Sequence, residues 1–198
     1  MIKIILDNGH GVNTPGKRSV DSRLLEYSYT REIVKGIKNK LDELEIDSFV
    51  LVPEEEDISL QERCRRANKY YTENGCDSVL ISCHVNANGM GDSWNSANGW
   101  EAYTYYGTSK SDELAEYLYK AAEKYLPGKK LRKDPSDGDS DKEAGFYILK
   151  HTIMPAVLTE NLFMTNKDEV DFLLSEEGKK AVINLHVDGI INYIKSQE

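Results

Sequence analysis

Short apolar runs alternate along this chain with longer segments whose apolar side chains recur at helical spacing. The first run, Ile2 to Asn8, stops abruptly at an Asn-Gly pair, as a buried strand does. Further strands are predicted at Ser48–Val52, Ser78–Asn86, Trp100–Tyr106, Phe146–Leu149 and Ala156–Leu162. Strands that alternate with helices favour an α/β domain with a largely parallel sheet.

The predicted helices cover residues 22–45, 59–71, 109–126, 168–174 and 178–194. Ser59 followed by Glu62 is typical of a capping box, and Pro127-Gly128 follows the third helix as expected at a helix end. Two polar stretches, 88–98 and 133–143, fit either surface loops or the walls of a substrate groove. No Pro- or Ser-rich linker divides the 198 residues, so we predict one domain over residues 1–198.

The charge balance argues against a nucleic-acid partner. Asp and Glu total 34 against 25 Lys and Arg, and the formal net charge is -9. A chain this acidic repels nucleic-acid phosphates unless it carries a concentrated basic patch, and its basic runs are short. No run approaches the roughly 20 apolar residues of a membrane span. The N-terminal run is also too short for a signal-peptide core. We therefore expect synthesis in the cytoplasm, with release or export by other means if the substrate lies outside.

The three cysteines, Cys64, Cys76 and Cys83, form no CxxC pair. Reduced, partly buried thiols are therefore expected rather than a disulfide scaffold. Cys83 precedes His84, but alternation along a strand directs the two side chains to opposite faces. We therefore do not expect Cys83 to bind the metal for which His84 is a candidate.

Polar residues that suit a metal centre follow the ends of three predicted strands. His10 follows the first strand, His84 lies near the end of the third, and Glu160 lies near the end of the last. In open α/β sheets, ligands bind at the carboxyl ends of the strands. Glu26, near the start of the first helix, faces the same end. Two imidazoles and a carboxylate form a recognised zinc set that leaves a fourth position for water.

Glu160 interrupts the apolar run 156–158, where a carboxylate is costly unless it is paired or close to a metal. A separate carboxylate can take the proton of a zinc-activated water and pass it to the leaving nitrogen. The residues therefore predict a metal-assisted hydrolase. In it, His10, Glu26 and His84 hold one Zn²⁺ ion or another divalent metal, and Glu160 activates the attacking water.

Each residue also has a purely structural interpretation. A single histidine at a strand end is usually a turn residue or a satisfied polar residue, and Glu26 alone would be a solvated helix charge. Only their convergence favours the metal. His186, expected on a face of the last helix, and His151, expected in a turn at the opposite end of the sheet, are not predicted ligands.

The motifs around these residues resemble those of the zinc-dependent N-acetylmuramoyl-L-alanine amidases, the cell-wall amidases of bacteria and phage lysins. The matching segments occur in family order over nearly the whole chain: 6–11, 24–26, 60–68, 81–87, 99–103 and 155–166. Many members have Pro at the position of Asn8 and Gly at the position of Leu162, and these two departures affect local loop geometry. The sequence of residues 161–164 is closer to that of phage-type members.

The resemblance implies a single catalytic amidase domain with a mostly parallel, about six-stranded twisted sheet flanked by helices on both faces. It implies hydrolysis of the amide between N-acetylmuramic acid and L-alanine, with one Zn²⁺ ion and a peptidoglycan or muropeptide substrate. Through the matching motifs it also suggests Arg63, Asn86 and Glu101 as substrate-binding residues.

Three other functions remain open on the sequence. They are a zinc peptidase acting on stem peptides, a catalytically silent cell-wall-binding module on the same scaffold, and an intracellular amidase acting on recycled muropeptides. A phage lysin released through a membrane pore accounts most simply for delivery. The sequence assigns no oligomeric state.

Overall fold

Strands and helices alternate through the residues that the computed structural model describes, which are 2–89, 91–136 and 138–198. In chain order the elements are β1 (Lys3–Asn8), α1 (Glu26–Glu43), β2 (Ser48–Val50), α2 (Leu60–Glu73), β3 (Ser78–Asn86), β4 (Glu101–Thr104), α3 (Lys110–Tyr125), β5 (Lys142–Glu143), α4 (Tyr147–His151), β6 (Ala156–Phe163), α5 (Lys167–Leu174) and α6 (Glu176–Ser196).

Six strands form one sheet in the order β2-β1-β3-β6-β4-β5. The four strands β2, β1, β3 and β6 are parallel, whereas β4 runs antiparallel to β6 and pairs in parallel with β5. The expected mostly parallel, six-stranded sheet is confirmed. Its reversed edge pair brings the start of β4 to the edge where β1, β3 and β6 end.

Alternate residues of each central strand feed two separate apolar clusters, one on each face of the sheet. Ile4 and Leu6 belong to a larger cluster covered by α1, α3, α5 and α6. Ile5 belongs to a smaller cluster covered by α2 and α4. Helices therefore flank both faces, as predicted.

One strand prediction is wrong. Residues 146–149 were predicted to be a strand, but Tyr147–His151 forms helix α4, and the remaining strand of the sheet is β5. A short apolar run does not distinguish a strand from a buried helical turn by periodicity. Here Ile148 and Leu149 are buried in the smaller cluster, whereas Phe146 and Tyr147 are partly exposed. Two adjacent buried residues do not fit the alternation of a strand but fit the buried face of a helical turn.

The predicted helix boundaries differ little from the observed ones. Helix α1 begins at Glu26 rather than at residue 22, so Glu26 is its first residue. Ser59 caps α2 by accepting a hydrogen bond from the Glu62 amide, and a reciprocal capping box occurs at the start of α3. Within the described part of the chain, no helix combines the length and apolar character that a membrane crossing requires.

Candidate metal centre

The turn after β1 presents His10 in an unusual backbone conformation. His10 has a φ of 62°, in the left-handed region that few non-glycine residues adopt. Its carbonyl oxygen accepts hydrogen bonds from Arg31 Nη1 at 3.0 Å and from Arg63 Nη2 at 3.2 Å. Such strain persists where the surroundings over-determine the backbone, and these two guanidinium groups hold the turn in place.

Gly9 lets the two histidines approach each other. A Cβ atom at this position would lie 2.4 to 2.8 Å from ring atoms of His84. The rings of His10 and His84 meet nearly at right angles, with centroids 5.0 Å apart. The absence of a side chain at Gly9 therefore leaves the volume that the His84 ring fills.

Glu26 lies between the two imidazoles, with only 1% of the residue exposed. Its Oε1 is 3.1 Å from His84 Nδ1 and accepts a hydrogen bond from the Val85 amide, and its Oε2 is 3.4 Å from His10 Nε2. One potential ligand atom from each of His10, Glu26 and His84 lies within 4.8 Å of the others. The structure therefore brings together the three residues that the sequence singles out.

The charges of this group favour an ionised carboxylate. Burial acts to raise the pKa of Glu26, but hydrogen bonds and charges of His10 and His84 outweigh it and hold that pKa well below its usual range. For His84, burial acts to lower the pKa, and Glu26 reverses the effect, so the pKa is raised. Glu26 Oε2 is buried and forms no well-aligned hydrogen bond, although His10 Nε2 lies 3.4 Å away. Two imidazoles around an unsatisfied carboxylate oxygen fit a divalent transition metal.

Glu160 lies beside this group on β6. It is the register partner of His84 in the β3–β6 ladder and of Glu101 in the β6–β4 ladder. Its Oε2 is buried and has no hydrogen-bond partner. Burial is the largest cause that raises the pKa of Glu160 to about 8; the charges of Glu26 and Glu101 add to it, while His84 and Lys17 oppose it.

A cleft of about 350 Å³ opens over these residues. His10, His84 and Glu160 form a polar floor of the cleft, and Phe146 and Tyr147 of the α4 segment add an aromatic wall to its lining. Among the described residues of the two polar stretches, 88–98 and 133–143, none lines this cleft; Met90 and Asp137 lie outside the described residues. The sequence did not predict this aromatic wall, because the apolar run 146–149 is interpreted as a strand.

Arg63, suggested as a substrate-binding residue, is buried and directs its guanidinium at the protein itself. Nη1 donates to Asp7 Oδ1 at 2.6 Å and to the Asn8 carbonyl at 2.7 Å. Nη2 donates to Asp57 and to the carbonyl of His10. These contacts indicate that Arg63 positions the turn that carries His10, and its contact with substrate stays a prediction.

Asn86 and Glu101, the other two suggested substrate-binding residues, contact each other. Asn86 Nδ2 donates to Glu101 Oε1, while Glu101 Oε2 accepts from Arg132 Nε at 2.8 Å and from Lys142 Nζ. Glu101 is 1% exposed, and a buried carboxylate requires such partners. The sequence gives no direct signal for Arg132 and Lys142, and the substrate roles of Asn86 and Glu101 stay predictions.

The remaining histidines lie away from this centre. His186 is wholly buried on the opposite face of the sheet, where its Nε2 is 2.9 Å from Thr159 Oγ1 and 3.7 Å from Cys83 Sγ. Cys83 thus points away from His84, as alternation predicts. His151 ends α4, before β6 begins, and its exposed ring packs 4.1 Å from the ring of Tyr147.

An α/β sheet with a His-Glu-His donor group at the carboxyl edge of its parallel strands defines a candidate metallohydrolase. A family model described as N-acetylmuramoyl-L-alanine amidase matches residues 4–192. The chain belongs to this family.

Similar proteins include an endolysin and N-acetylmuramoyl-L-alanine amidases. Over 96% of its length the chain is 32% identical to the endolysin of Bacillus phage SPP1, and it spans 65% of that protein. Over 97% of its length it is 31% identical to the N-acetylmuramoyl-L-alanine amidase LytC of Bacillus subtilis (strain 168), and it spans 35% of that protein. The crystal structure of N-acetylmuramoyl-L-alanine amidase from Clostridium difficile 630 is similar with a TM-score of 0.81 and 28% identity, over 100% of this chain and 98% of that one.

Proposed function

We propose that this chain hydrolyses the amide bond between N-acetylmuramic acid and L-alanine in peptidoglycan, and that it acts on the cell wall after release or export. Membership of the amidase family and the names of its relatives support the substrate. The observation that carries the chemistry is the approach of His10, Glu26 and His84, whose candidate ligand atoms lie within 4.8 Å of one another beside Glu160.

One Zn²⁺ ion bound by His10, Glu26 and His84 would explain why these three side chains converge. The buried Oε2 of Glu26 and the two converging imidazoles are the ligand types of a catalytic zinc site with three protein ligands. When bound, zinc supplies Lewis-acid polarisation of a carbonyl and makes hydroxide available near neutral pH. Arg31 and Arg63 hold the backbone of His10, so the geometry of one ligand depends on both guanidinium groups.

Glu160 acts as the proton carrier. Its carboxyl group lines the cleft, and in its ionised form it accepts a proton from the attacking water. Burial raises the pKa of Glu160 to about 8 in the metal-free site, and a cation held by the three proposed ligands would favour the ionised form. The same carboxyl group then donates this proton to the amine that leaves with the stem peptide.

The cleft admits an extended substrate across the catalytic edge. Its floor is polar and its α4 wall presents Phe146 and Tyr147, each 39% exposed. Aromatic faces suit sugar rings and peptide backbone, since they offer a large apolar area without competing charges. The bond to be cut then lies over Glu160, with glycan and peptide extending to either side.

Digestion of purified peptidoglycan tests this function. We expect soluble peptides whose new N-terminus is L-alanine, as identified by mass spectrometry, and loss of their release in the presence of a chelator. Restoration by one equivalent of Zn²⁺, measured by metal analysis of the same sample, would support zinc. Cleavage inside the stem peptide would instead identify a peptidase, and wall binding without any cleavage would identify a silent module.

A further inference from the structure

A second, smaller cleft lies on the other side of the reversed edge pair. Its volume is about 120 Å³, and it lies between the residues that precede α3 and the segment that leads into β5. Four carboxylate residues line it: Asp112, Asp139, Asp141 and Glu143. The other lining residues among those described are Gly107 and Thr108, so no basic side chain is among them.

The segment 139–143 directs alternate side chains into this cleft. Asp139, Asp141 and Glu143 line it, whereas the intervening Lys142 points to the other side and contacts Glu101. Only Lys142 and Glu143 belong to strand β5, and the irregular backbone of residues 139–141 brings Asp139 and Asp141 to the same cleft as Glu143. The carboxylates are therefore concentrated on one side and separated from the nearest lysine in the chain.

These carboxylates already interact within the protein. Glu143 accepts a hydrogen bond from the Gly107 amide, and Asp112 accepts one from the Ser109 amide as part of the α3 capping box. Asp141 is the most deeply buried of the four. Its Oδ2 accepts a hydrogen bond from Thr104 Oγ1 at 2.6 Å, whereas its Oδ1 is buried without a donor group, and the carboxyl group of Asp139 lies close enough to interact with Asp141.

An ionised carboxylate in this position is costly without a compensating positive charge. Asp141 is 1% exposed, and its surroundings are acidic. Burial is the main cause that raises the pKa of Asp141 to about 7; the hydrogen bond from Thr104 opposes it, and the charges of Asp139 and Asp112 and a hydrogen bond with Asp139 add to it. A bound cation would offset the repulsion among these carboxylates.

We propose that this cleft is a second metal site, which binds one Ca²⁺ ion through Asp141 and Asp139 and is separate from the His10–Glu26–His84 centre. Its side-chain donors are oxygens alone, which hard cations prefer and which do not select zinc. The site is formed by irregular backbone around a short strand. Ca²⁺ tolerates six to eight ligands in variable geometry and can add carbonyl oxygens and waters, whereas Mg²⁺ demands a near-ideal octahedron.

The ion would connect the segment before β5 to the start of α3. Lys142 lies within that segment and contacts Glu101, which is the register partner of Glu160. Binding of Ca²⁺ thus orders the chain that places a cation beside the catalytic edge. It is expected to stabilise the fold and to protect the peptide bond after Lys142 from trypsin.

Calorimetric titration of the zinc-saturated protein with CaCl₂ tests the proposal, because saturation with zinc removes the first centre from the measurement. We expect one Ca²⁺ per chain, with a dissociation constant on the order of 10⁻⁴ M, as in extracellular Ca²⁺-binding modules. The melting temperature should rise with Ca²⁺, and tryptic cleavage should become slower. Mg²⁺ at the same concentration is expected to bind at least tenfold more weakly.

Asp141→Asn should weaken Ca²⁺ binding at least tenfold and abolish the shift in melting temperature. Asp134→Asn is the matched control, because Asp134 is exposed in the same loop and does not line the cleft. It should bind Ca²⁺ like the unaltered chain. Without Ca²⁺, Asp141→Asn should melt at or above the temperature of the unaltered chain, since it removes a buried charge.

Asp139→Asn provides a second variant if Asp141→Asn does not fold, and it should also weaken binding, because Asp139 is the other proposed ligand. The proposal is overturned if the unaltered chain shows neither heat nor a melting shift with Ca²⁺. Equal binding by Asp141→Asn would overturn it as well. In either case Asp141 holds a proton rather than a cation. All these measurements are independent of amidase activity.

Discussion

His84 and Glu160 are register partners on the neighbouring parallel strands β3 and β6. Their side chains therefore project from the same face of the sheet at the same edge, whereas Cys83 and Thr159, one residue earlier, both face His186 on the other side. A single ladder position thus sets a proposed metal ligand beside the proposed proton carrier. Their separation depends on strand pairing and not on a loop.

Glu160→Gln should abolish most of the activity while leaving the metal in place. The amide keeps the shape of the side chain but does not accept a proton, so the rate of peptidoglycan hydrolysis should fall by about 10² to 10⁴-fold. Release of L-alanine-terminated peptides and metal content per chain are the measurements. Activity near that of the unaltered chain would remove Glu160 from the mechanism.

His84→Ala should act on the metal itself. It removes one of the three proposed ligands, so metal content after dialysis should fall well below one ion per chain. Glu160→Gln is its control for metal content. An unchanged stoichiometry in His84→Ala would reject the ligand assignment.

Gly9→Ala should weaken metal binding without touching a ligand. The added Cβ would lie 2.4 to 2.8 Å from the ring of His84, which must move. Changes that reorient a ligand typically reduce metal affinity by about 10 to 100-fold. Gly145→Ala is the control, because a Cβ there meets only Tyr106 at 3.5 Å, an ordinary contact. Competition with a chelator measures both variants, and equal affinity in both would contradict the prediction.

Arg63→Ala should destabilise the fold strongly. It leaves the buried Asp7 without its partner and withdraws a donor from the His10 carbonyl, and breaking a buried pair costs about 3 to 5 kcal/mol. Lys124→Ala removes an ion pair in which Lys124 is 61% exposed, and it should reduce the free energy of unfolding far less than Arg63→Ala does. Urea unfolding measures both free energies. Similar losses in the two variants would show that Arg63 does not hold the turn.

The free energy of unfolding should fall as the pH drops from 6.5 to 4, in part because of His186. Burial lowers the pKa of His186 from 6.5 to about 4, so the unfolded chain takes up a proton first in this window. This difference corresponds to about 3 kcal/mol of stability, present above pH 6.5 and lost as the pH approaches 4.

His186→Gln should remove that part of the pH dependence, since glutamine does not titrate. His151→Gln, at an exposed position, should retain it. Denaturant unfolding at several pH values between 4 and 7 measures the slopes. An unchanged slope in His186→Gln would exclude His186 as its source.

The parallel strands at the centre of the sheet can be predicted from the sequence because they are buried on both faces. β1, β3 and β6 therefore each contain a short continuous apolar run. The edge is less readable. β5 has two residues, Lys142 and Glu143, with no apolar signal, and α4 replaces a predicted strand because the four apolar residues 146–149 suit either conformation.

The metal group is predictable for a related reason. His10, His84 and Glu160 follow or end apolar runs, and the topology of parallel strands brings such ends to one edge. The contacts that hold the group do not follow from that pattern. Arg31 and Arg63 reach the His10 carbonyl from two different helices, and only the packing of α1 and α2 sets those distances.

The two apolar clusters of unequal size lie on opposite faces of the strands that bear His84 and Glu160, and both clusters hold these strands in place. Phe146 and Tyr147 line the cleft but belong to neither cluster. Replacing either aromatic residue is therefore expected to alter the lining of the cleft more than the packing of the strands. Sequence variation at these two positions can change which molecules the cleft accepts while the proposed metal ligands keep their places.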